Sequence, residues 1–414
     1  MKVKNILLLT HLTSDNIGDQ LIEICDRSLI SVVMKNLGFR ETEYKINSQK
    51  TEHNSIAENI ANADVVLFGG SPVFNYGYQN FYKNTASIIK IAEDLQKPVV
   101  FSGIGVENYD ENNSKCQLLK KELNLPCVKQ ITTRDGIVDL KKFTDKIPTA
   151  LVSDPVVFCS TVFKNFLNND QPKNKTIGLF VARRDLCTDN NIKFGPLEQY
   201  KLWLKIVKLL KKNGYDYRFL STGHFSDEAF MTLMHGSGKF KKDKFVLCMN
   251  TPEQLIQEIQ KCSAIIAFRL HANIIAYSLD IPSIGLIWNK KIPMFYDNIK
   301  YPERAVRVDN DKAADTIFSA LEKAIAQGLG RDIDFLMSIY NTLFNVFKEI
   351  FIINKVIAPF SYQETLKLLP TYGGTTLDEL LKKIKRKFNR TYRNYNKDIE
   401  KLEYLNAQKE KLIK

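Results

Sequence analysis

Short apolar runs of strand length recur along this chain, and nearly every one ends in glycine, arginine, aspartate or asparagine. Residues 3–10, 63–68, 98–105, 128–133 and 150–154 carry the pattern in the first part, with helical periodicity between them, as over residues 21–37 and 79–95. Strands this short and apolar, alternating with helices, predict a parallel sheet covered on both faces. Residues 165–175 (NFLNNDQPKNK) are polar, contain proline and read as a linker. The pattern then restarts, with strand-like runs at 176–181, 217–220, 245–247, 264–268, 283–287 and 305–308 and an amphipathic helix within 195–213. The fold class expected is α/β: two tandem Rossmann-like domains, residues 1–165 and 176–330, facing each other across a cleft (GT-B-like).

Parallel α/β sheets bind ligands beyond the carboxyl ends of their strands, where helix N-termini offer free N–H groups and a favourable dipole for anions. The residues at those ends are therefore the candidates. Asn16, Gly18 and Asp19 follow the first strand; Gly69, Gly70 and Ser71 follow the second run; Gly103 and Gly105 the third; Arg134 the fourth. In the second domain Arg183 follows residues 176–181, Arg269 and His271 follow residues 264–268, and Asn289, Lys290 and Lys291 follow residues 283–287. An arginine, a histidine and a lysine placed this way suit a small substrate bearing phosphate and carboxylate. Read alone, each also fits a plain turn, an N-cap or a solvated charge. The second run is followed by no GxGxxG, so a dinucleotide fingerprint is missing there. The five histidines are scattered without ligand spacing, so no metal site is expected.

Lys plus Arg exceeds Asp plus Glu by 59 − 46 = 13, and residues 374–414 alone hold 12 basic and 6 acidic side chains. With nearly half the excess confined to the tail and no recognisable nucleic-acid-binding motif, nucleic acid is not an expected partner. The apolar start, MKVKNILLLT, reads as a first buried strand and not as a signal peptide, and seven cysteines without a CxxC read as reduced and structural. Both point to the cytoplasm.

Past residue 330 the chain changes character. Residues 336–356 are apolar and aromatic and predict a helix docking on the body, within a helical segment at 331–370; contact with a membrane is the other reading. Residues 377–414 predict one long basic helix, with Leu380, Leu381, Ile384, Phe388, Tyr392, Tyr395, Ile399, Leu402 and Leu405 on a stripe and Lys382, Lys383, Lys385, Arg386 and Lys387 clustered beside it. A coiled-coil seam, a helix lying on an anionic membrane surface and a solvated helix all fit that stripe.

Taken together, the motifs resemble the polysaccharide pyruvyl transferase family. The carriers are Asn16-Ile-Gly-Asp19, Gly69-Gly70, Ser102-Gly-Ile-Gly105, Arg134-Asp135, Ser153-Asp154-Pro155 and Phe268-Arg-Leu-His-Ala272 with Ile281-Pro and Trp288-Asn-Lys-Lys291, in the family's order over residues 3–295. Ser71, Val106-Glu107 and Trp288-Asn289-Lys290 depart from its usual residues, and both Lys290 and Lys291 fall at its lysine position. The resemblance implies transfer of the enolpyruvyl unit of phosphoenolpyruvate to a saccharide acceptor, with formation of a pyruvate ketal. It implies no cofactor, a donor set of Arg134, Arg183, Arg269, His271 and Lys291, and an acceptor side in the first domain, with an acceptor carried on lipid among the options. A glycosyltransferase using a nucleotide sugar is the alternative on the same fold.

Overall fold

The computed structural model describes residues 3–11, 16–77, 80–168 and 175–413. Six parallel strands form the first sheet: β1 (Lys4–Leu9), β2 (Tyr44–Gln49), β3 (Val65–Gly69), β4 (Val99–Ile104), β5 (Val128–Thr133) and β6 (Thr149–Leu151), in the order β2-β1-β3-β4-β5-β6. Five more form the second: β7 (Thr176–Phe180), β8 (Asp216–Leu220), β9 (Ala264–Ala267), β10 (Ser283–Ile287) and β11 (Ala305–Arg307), in the order β11-β10-β9-β7-β8. Helices alternate with the strands, and the architecture is the GT-B-like pair of Rossmann-like domains that the alternation predicts. Two elements differ from expectation. Strand β2 (YKINSQ) is a polar, half-exposed edge strand with no apolar run to announce it. Residues 245–247 make only a single bridge, from Phe245 to Phe219, and not a strand. Of the expected linker, residues 169–174 lie outside the described residues, as do residues 12–15 of the turn after β1.

Each sheet reverses its strand order once, between β1 and β3 and between β7 and β9. At such a switch point the connections leave in opposite directions and open a crevice beyond the strand ends. Helix α1 (Ile17–Asn36) starts at the first of them, with Asn16 as its N-cap accepting from the Gly18 N–H. In the second domain α2 (Phe225–Gly236) follows β8, α3 (Leu270–Ser278) starts at the second switch point and α4 (Lys291–Asn298) follows β10.

The two domains are fused through their cores. One apolar cluster runs from Ile6, Leu8 and Leu67 of the first sheet through α1 to Phe180, Ala267 and the α3 residues Ile274, Ile275 and Tyr277. Helix α5 (Ile333–Ile350) completes it. Its buried residues Leu336, Tyr340, Leu343, Phe344 and Phe347 repeat at helical spacing, and it packs on α1, β4 and β5. Tyr340 accepts a hydrogen bond from Asn36 Nδ2 at 2.7 Å, and Ser153 donates to the Leu336 carbonyl at 2.9 Å. The helix is thus a docking helix of the first domain, ending at Ile350. Last comes α6 (Leu377–Ile413).

Leu343 is fully buried in this junction, so Leu343→Ala should lower the free energy of unfolding in urea by about 2–5 kcal/mol. A change below about 1 kcal/mol would mean that α5 is peripheral to the shared core.

Candidate active site

The two switch points meet face to face. His271, one residue into α3, lies against Gly18, one residue into α1, and a Cβ at Gly18 would overlap the imidazole at Nδ1 and Cγ. Glycine is needed here for the close approach of another domain's side chain; its backbone is not in the left-handed region. Neighbouring backbone stitches the same seam: Ile17 N–H donates to the Thr222 carbonyl at 2.8 Å, and Thr222 Oγ1 donates to Asn16 Oδ1 at 3.0 Å.

On its other side the imidazole meets Arg134, which leaves β5 in the first domain. Arg134 Nη1 donates to His271 Nε2 at 3.3 Å and to Asp154 Oδ2 at 2.5 Å. A guanidinium only donates, so Nε2 accepts and the ring is the neutral tautomer with its proton on Nδ1. Burial, reinforced by the Arg134 and Lys291 cations, holds the His271 pKa below the ordinary 6.5, against the opposing pull of Asp154 and Asp19. For Arg134, burial disfavours the charge, but Asp154 and Asp135 outweigh it. Its Nε has no partner among the described residues. Asp154 is itself fixed as the cap of the turn Pro155–Phe158, accepting from the Val156 N–H at 2.9 Å.

Lys291 completes the group. Its ammonium makes no hydrogen bond or ion pair with any described residue, and it lines a small pocket with Arg134, Asp135, Asp154, Phe295 and Asn298. Gly105 lies beside it, where an added Cβ would stand 3.6 Å from both Lys291 Nζ and Asp135 Oδ2. Lys290, by contrast, is committed to Asp139 at 2.9 Å and to Asn108. The geometry therefore separates the two lysines that sequence left equivalent.

The remaining candidates are placed differently. Arg269 caps α3 and is gripped in two-pronged fashion by the fully buried Asp227 of α2, Nε to Oδ2 at 2.7 Å and Nη2 to Oδ1 at 2.5 Å. It shares with Arg134 and His271 the negative field of Asp19, whose carboxylate also acts on His11 and His224. Arg183 reaches Asp227 only through its backbone N–H, at 2.7 Å, and turns its guanidinium to Asp189. Gly69 and Gly70 serve packing: a side chain at Gly69 would overlap the Asp26 carboxyl, and one at Gly70 would come within 2.7 Å of Ile22. Ser71 is buried. Gly103 has φ +58 and faces Ile339 of α5, so it too serves a turn and the docking of that helix.

Sequence reasoning missed Asp227, hidden inside a helix that looked ordinary, and Asp26, a buried carboxyl whose pKa burial, with Asp154 and Glu23 nearby, raises well above the carboxylate range. Among the described residues no cluster of histidine, cysteine and carboxylate side chains could hold a metal ion.

Two Rossmann-like domains in a GT-B-like fold thus meet at a buried arginine and histidine with a half-buried lysine beside them. The chain belongs to the polysaccharide pyruvyl transferase family, whose model matches residues 8–290, and it is therefore a transferase that modifies polysaccharide. No curated protein matches it as a relative. Among solved structures, the putative UDP-N-acetylglucosamine 2-epimerase of Listeria monocytogenes is similar at a TM-score of 0.57 and 9% identity, over 87% of this chain and 100% of that one. The UDP-GlcNAc 2-epimerase of Methanocaldococcus jannaschii gives 0.51 and 14%, over 83% and 98%. At such identities the likeness is one of fold alone. The matched span leaves α5 and α6 outside the family model.

Gly18→Ala should destabilise the protein by about 1–3 kcal/mol through the forced shift of His271. Gly77→Ala, where nothing lies within 4 Å of an added Cβ, should leave stability unchanged. Equal denaturation midpoints for the two variants would mean that the Gly18–His271 contact yields freely.

Proposed function

We propose that the chain transfers the enolpyruvyl unit of phosphoenolpyruvate to a saccharide, forming a pyruvate ketal and inorganic phosphate. The observation that carries this reading is the group at the domain junction: a lysine that pairs with no described residue and a buried arginine beside a neutral histidine, in a chain of the pyruvyl transferase family. Phosphoenolpyruvate brings a carboxylate and a phosphate on adjacent positions, and two cations lining one small pocket suit such a compact anion. No cofactor is needed for the chemistry.

In the reaction one proton adds to C3 of the donor, and a sugar hydroxyl attacks C2. The C2–O bond to phosphate breaks, and a second hydroxyl closes the ketal. The two hydroxyl protons balance the one gained at C3 and the one carried off by phosphate. His271 is the proton-transfer group in this scheme. Unliganded, it is neutral because burial and its two cationic neighbours depress its pKa. A donor anion between Arg134 and Lys291 cancels those cations, so the imidazole gains a proton as the donor binds and can deliver it. Lys291 and Arg134 then neutralise the departing phosphate. Arg269, preset by Asp227, would hold the donor carboxylate with the part of its fork that Asp227 leaves. The acceptor would approach from the rim formed by Asn16, Asp19 and His11. A lipid-linked saccharide would place the enzyme at a membrane surface on the cytoplasmic side, and α6 is the segment that would meet it.

Phosphoenolpyruvate should raise the melting temperature by mass action, where UDP-GlcNAc does not. A shift with the nucleotide sugar alone would favour a glycosyltransferase instead. Binding should take up protons near neutral pH: the His271 pKa is below its ordinary value when free and higher when bound, so affinity should fall as pH rises. Calorimetry in buffers of different ionisation enthalpy reads the uptake directly, and its absence would remove His271 from the proton path. His271→Ala should keep donor binding and lose about 10²–10⁴-fold in kcat.

A further inference from the structure

Helix α6 has three distinct sides. Among the described residues of its inner side, Lys383 and Lys387 are buried, at 5% and 9% exposure, with Leu380 half-buried beside them. Lys383 Nζ donates to Gln20 in the first turn of α1 at 3.1 Å. Lys387 Nζ donates to both oxygens of Glu228 in α2, at 3.1 and 3.0 Å, and to the Met249 carbonyl at 2.7 Å. The Arg390 guanidinium stacks over Phe225. Ahead of the helix, Thr375 bonds the Glu253 carboxylate through its N–H and its hydroxyl, at 3.1 and 3.0 Å. The helix is therefore a strap across the domain junction, touching the first domain next to Asp19 and the second beside the helix that bears Asp227. Two of the five basic residues clustered in the sequence are spent on this contact.

Of the apolar stripe, Leu381, Ile384, Phe388 and Tyr392 face away from the body, as does Leu377, while Leu380 is half-buried; the side chains of Tyr395, Ile399, Leu402 and Leu405 lie outside the described residues. Leu377, Leu381, Ile384, Phe388 and Tyr392 are 70%, 56%, 44%, 65% and 58% exposed. At about 100° per residue they fall on one arc, roughly 120° from the lysines that hold the helix down. A third arc beside the stripe carries Lys382, Lys385, Arg386 and Arg393, all exposed. Large apolar side chains at this density on one surface mark an interaction site. The neighbouring charge selects the partner. A second copy of this helix would bring a basic arc against an identical one, whereas an anionic lipid surface accepts the apolar arc at its acyl boundary and the basic arc at its headgroups.

We propose that the outward arc of α6 docks the enzyme on an anionic lipid bilayer, holding the domain junction at the membrane surface. The surface deepens the reading above by naming where that site works, but vesicle binding requires neither phosphoenolpyruvate nor an acceptor. Its failure and the failure of the pyruvyl-transfer reading are thus separable.

The test is co-sedimentation of the full chain with vesicles of phosphatidylglycerol and phosphatidylcholine in equal parts, beside phosphatidylcholine alone. Binding to the anionic vesicles at about 50 mM salt and release at about 500 mM is expected. Phe388→Ser with Tyr392→Ser should weaken it about tenfold or more by removing apolar contact. Lys385→Glu with Arg386→Glu should weaken it about 30-fold or more. All four residues are exposed, so both variants should keep the melting temperature of the parent. No binding to anionic vesicles by the folded chain, or binding indifferent to both double variants, overturns the proposal. So does a solution dimer, read by light scattering, that the Phe388→Ser/Tyr392→Ser variant dissociates, because the occupant of the stripe is then a second copy.

Discussion

The contact of His271 with Gly18 fixes the geometry of everything around it. Each residue sits where its own sheet reverses strand order, and the ring occupies the volume that any other side chain at position 18 would fill. The imidazole is therefore placed by both halves of the molecule at once, with Arg134 closing the third side. From that placement follow its burial, its neutral tautomer and its depressed pKa. A histidine on the rim of one domain would have none of these. The charge balance depends on the same meeting: Arg134 and Asp154 come from the first domain, Lys291 and Arg269 from the second, and Asp19 acts on groups of both.

Much of this was legible from residues alone, for a physical reason. Strands buried on both faces must be apolar throughout, so β3, β4, β9 and β10 announce themselves, and the strand ends follow at once. Arg134, His271 and Lys291 were found as strand-end residues and are brought together by the fold. What the sequence could not carry was pairing. Lys290 and Lys291 are adjacent and chemically alike, and only the direction of each side chain separates the one bound to Asp139 from the one left open to the pocket. Asp227 lies 42 positions before the arginine that it grips. Nor did the sequence show that Gly69 and Gly70 are sites where α1 packs close on the sheet. Polar edge strand β2 carried no apolar signal, and the burial of Lys383 and Lys387 ran against the ordinary rule that a basic helix turns its lysines to water.

That last inversion comes from what the junction offers. The first turns of α1 and α2 present an amide oxygen and a carboxylate, and Met249 beside them a main-chain carbonyl; all are acceptors, and long basic side chains answer them while their methylene stems lie along the surface. The helix can then be fastened by its lysines, with Leu377, Leu381, Ile384, Phe388 and Tyr392 left exposed.

The shared core sets how material can pass in and out. In many two-domain enzymes the halves are joined by a small polar interface and swing apart to exchange ligands. Here one unbroken apolar cluster passes from the first sheet through α1 to α3, with α5 wedged beneath, and a wide swing would expose it to water. Exchange at this site therefore favours movements of side chains and short connections over a swing of whole domains.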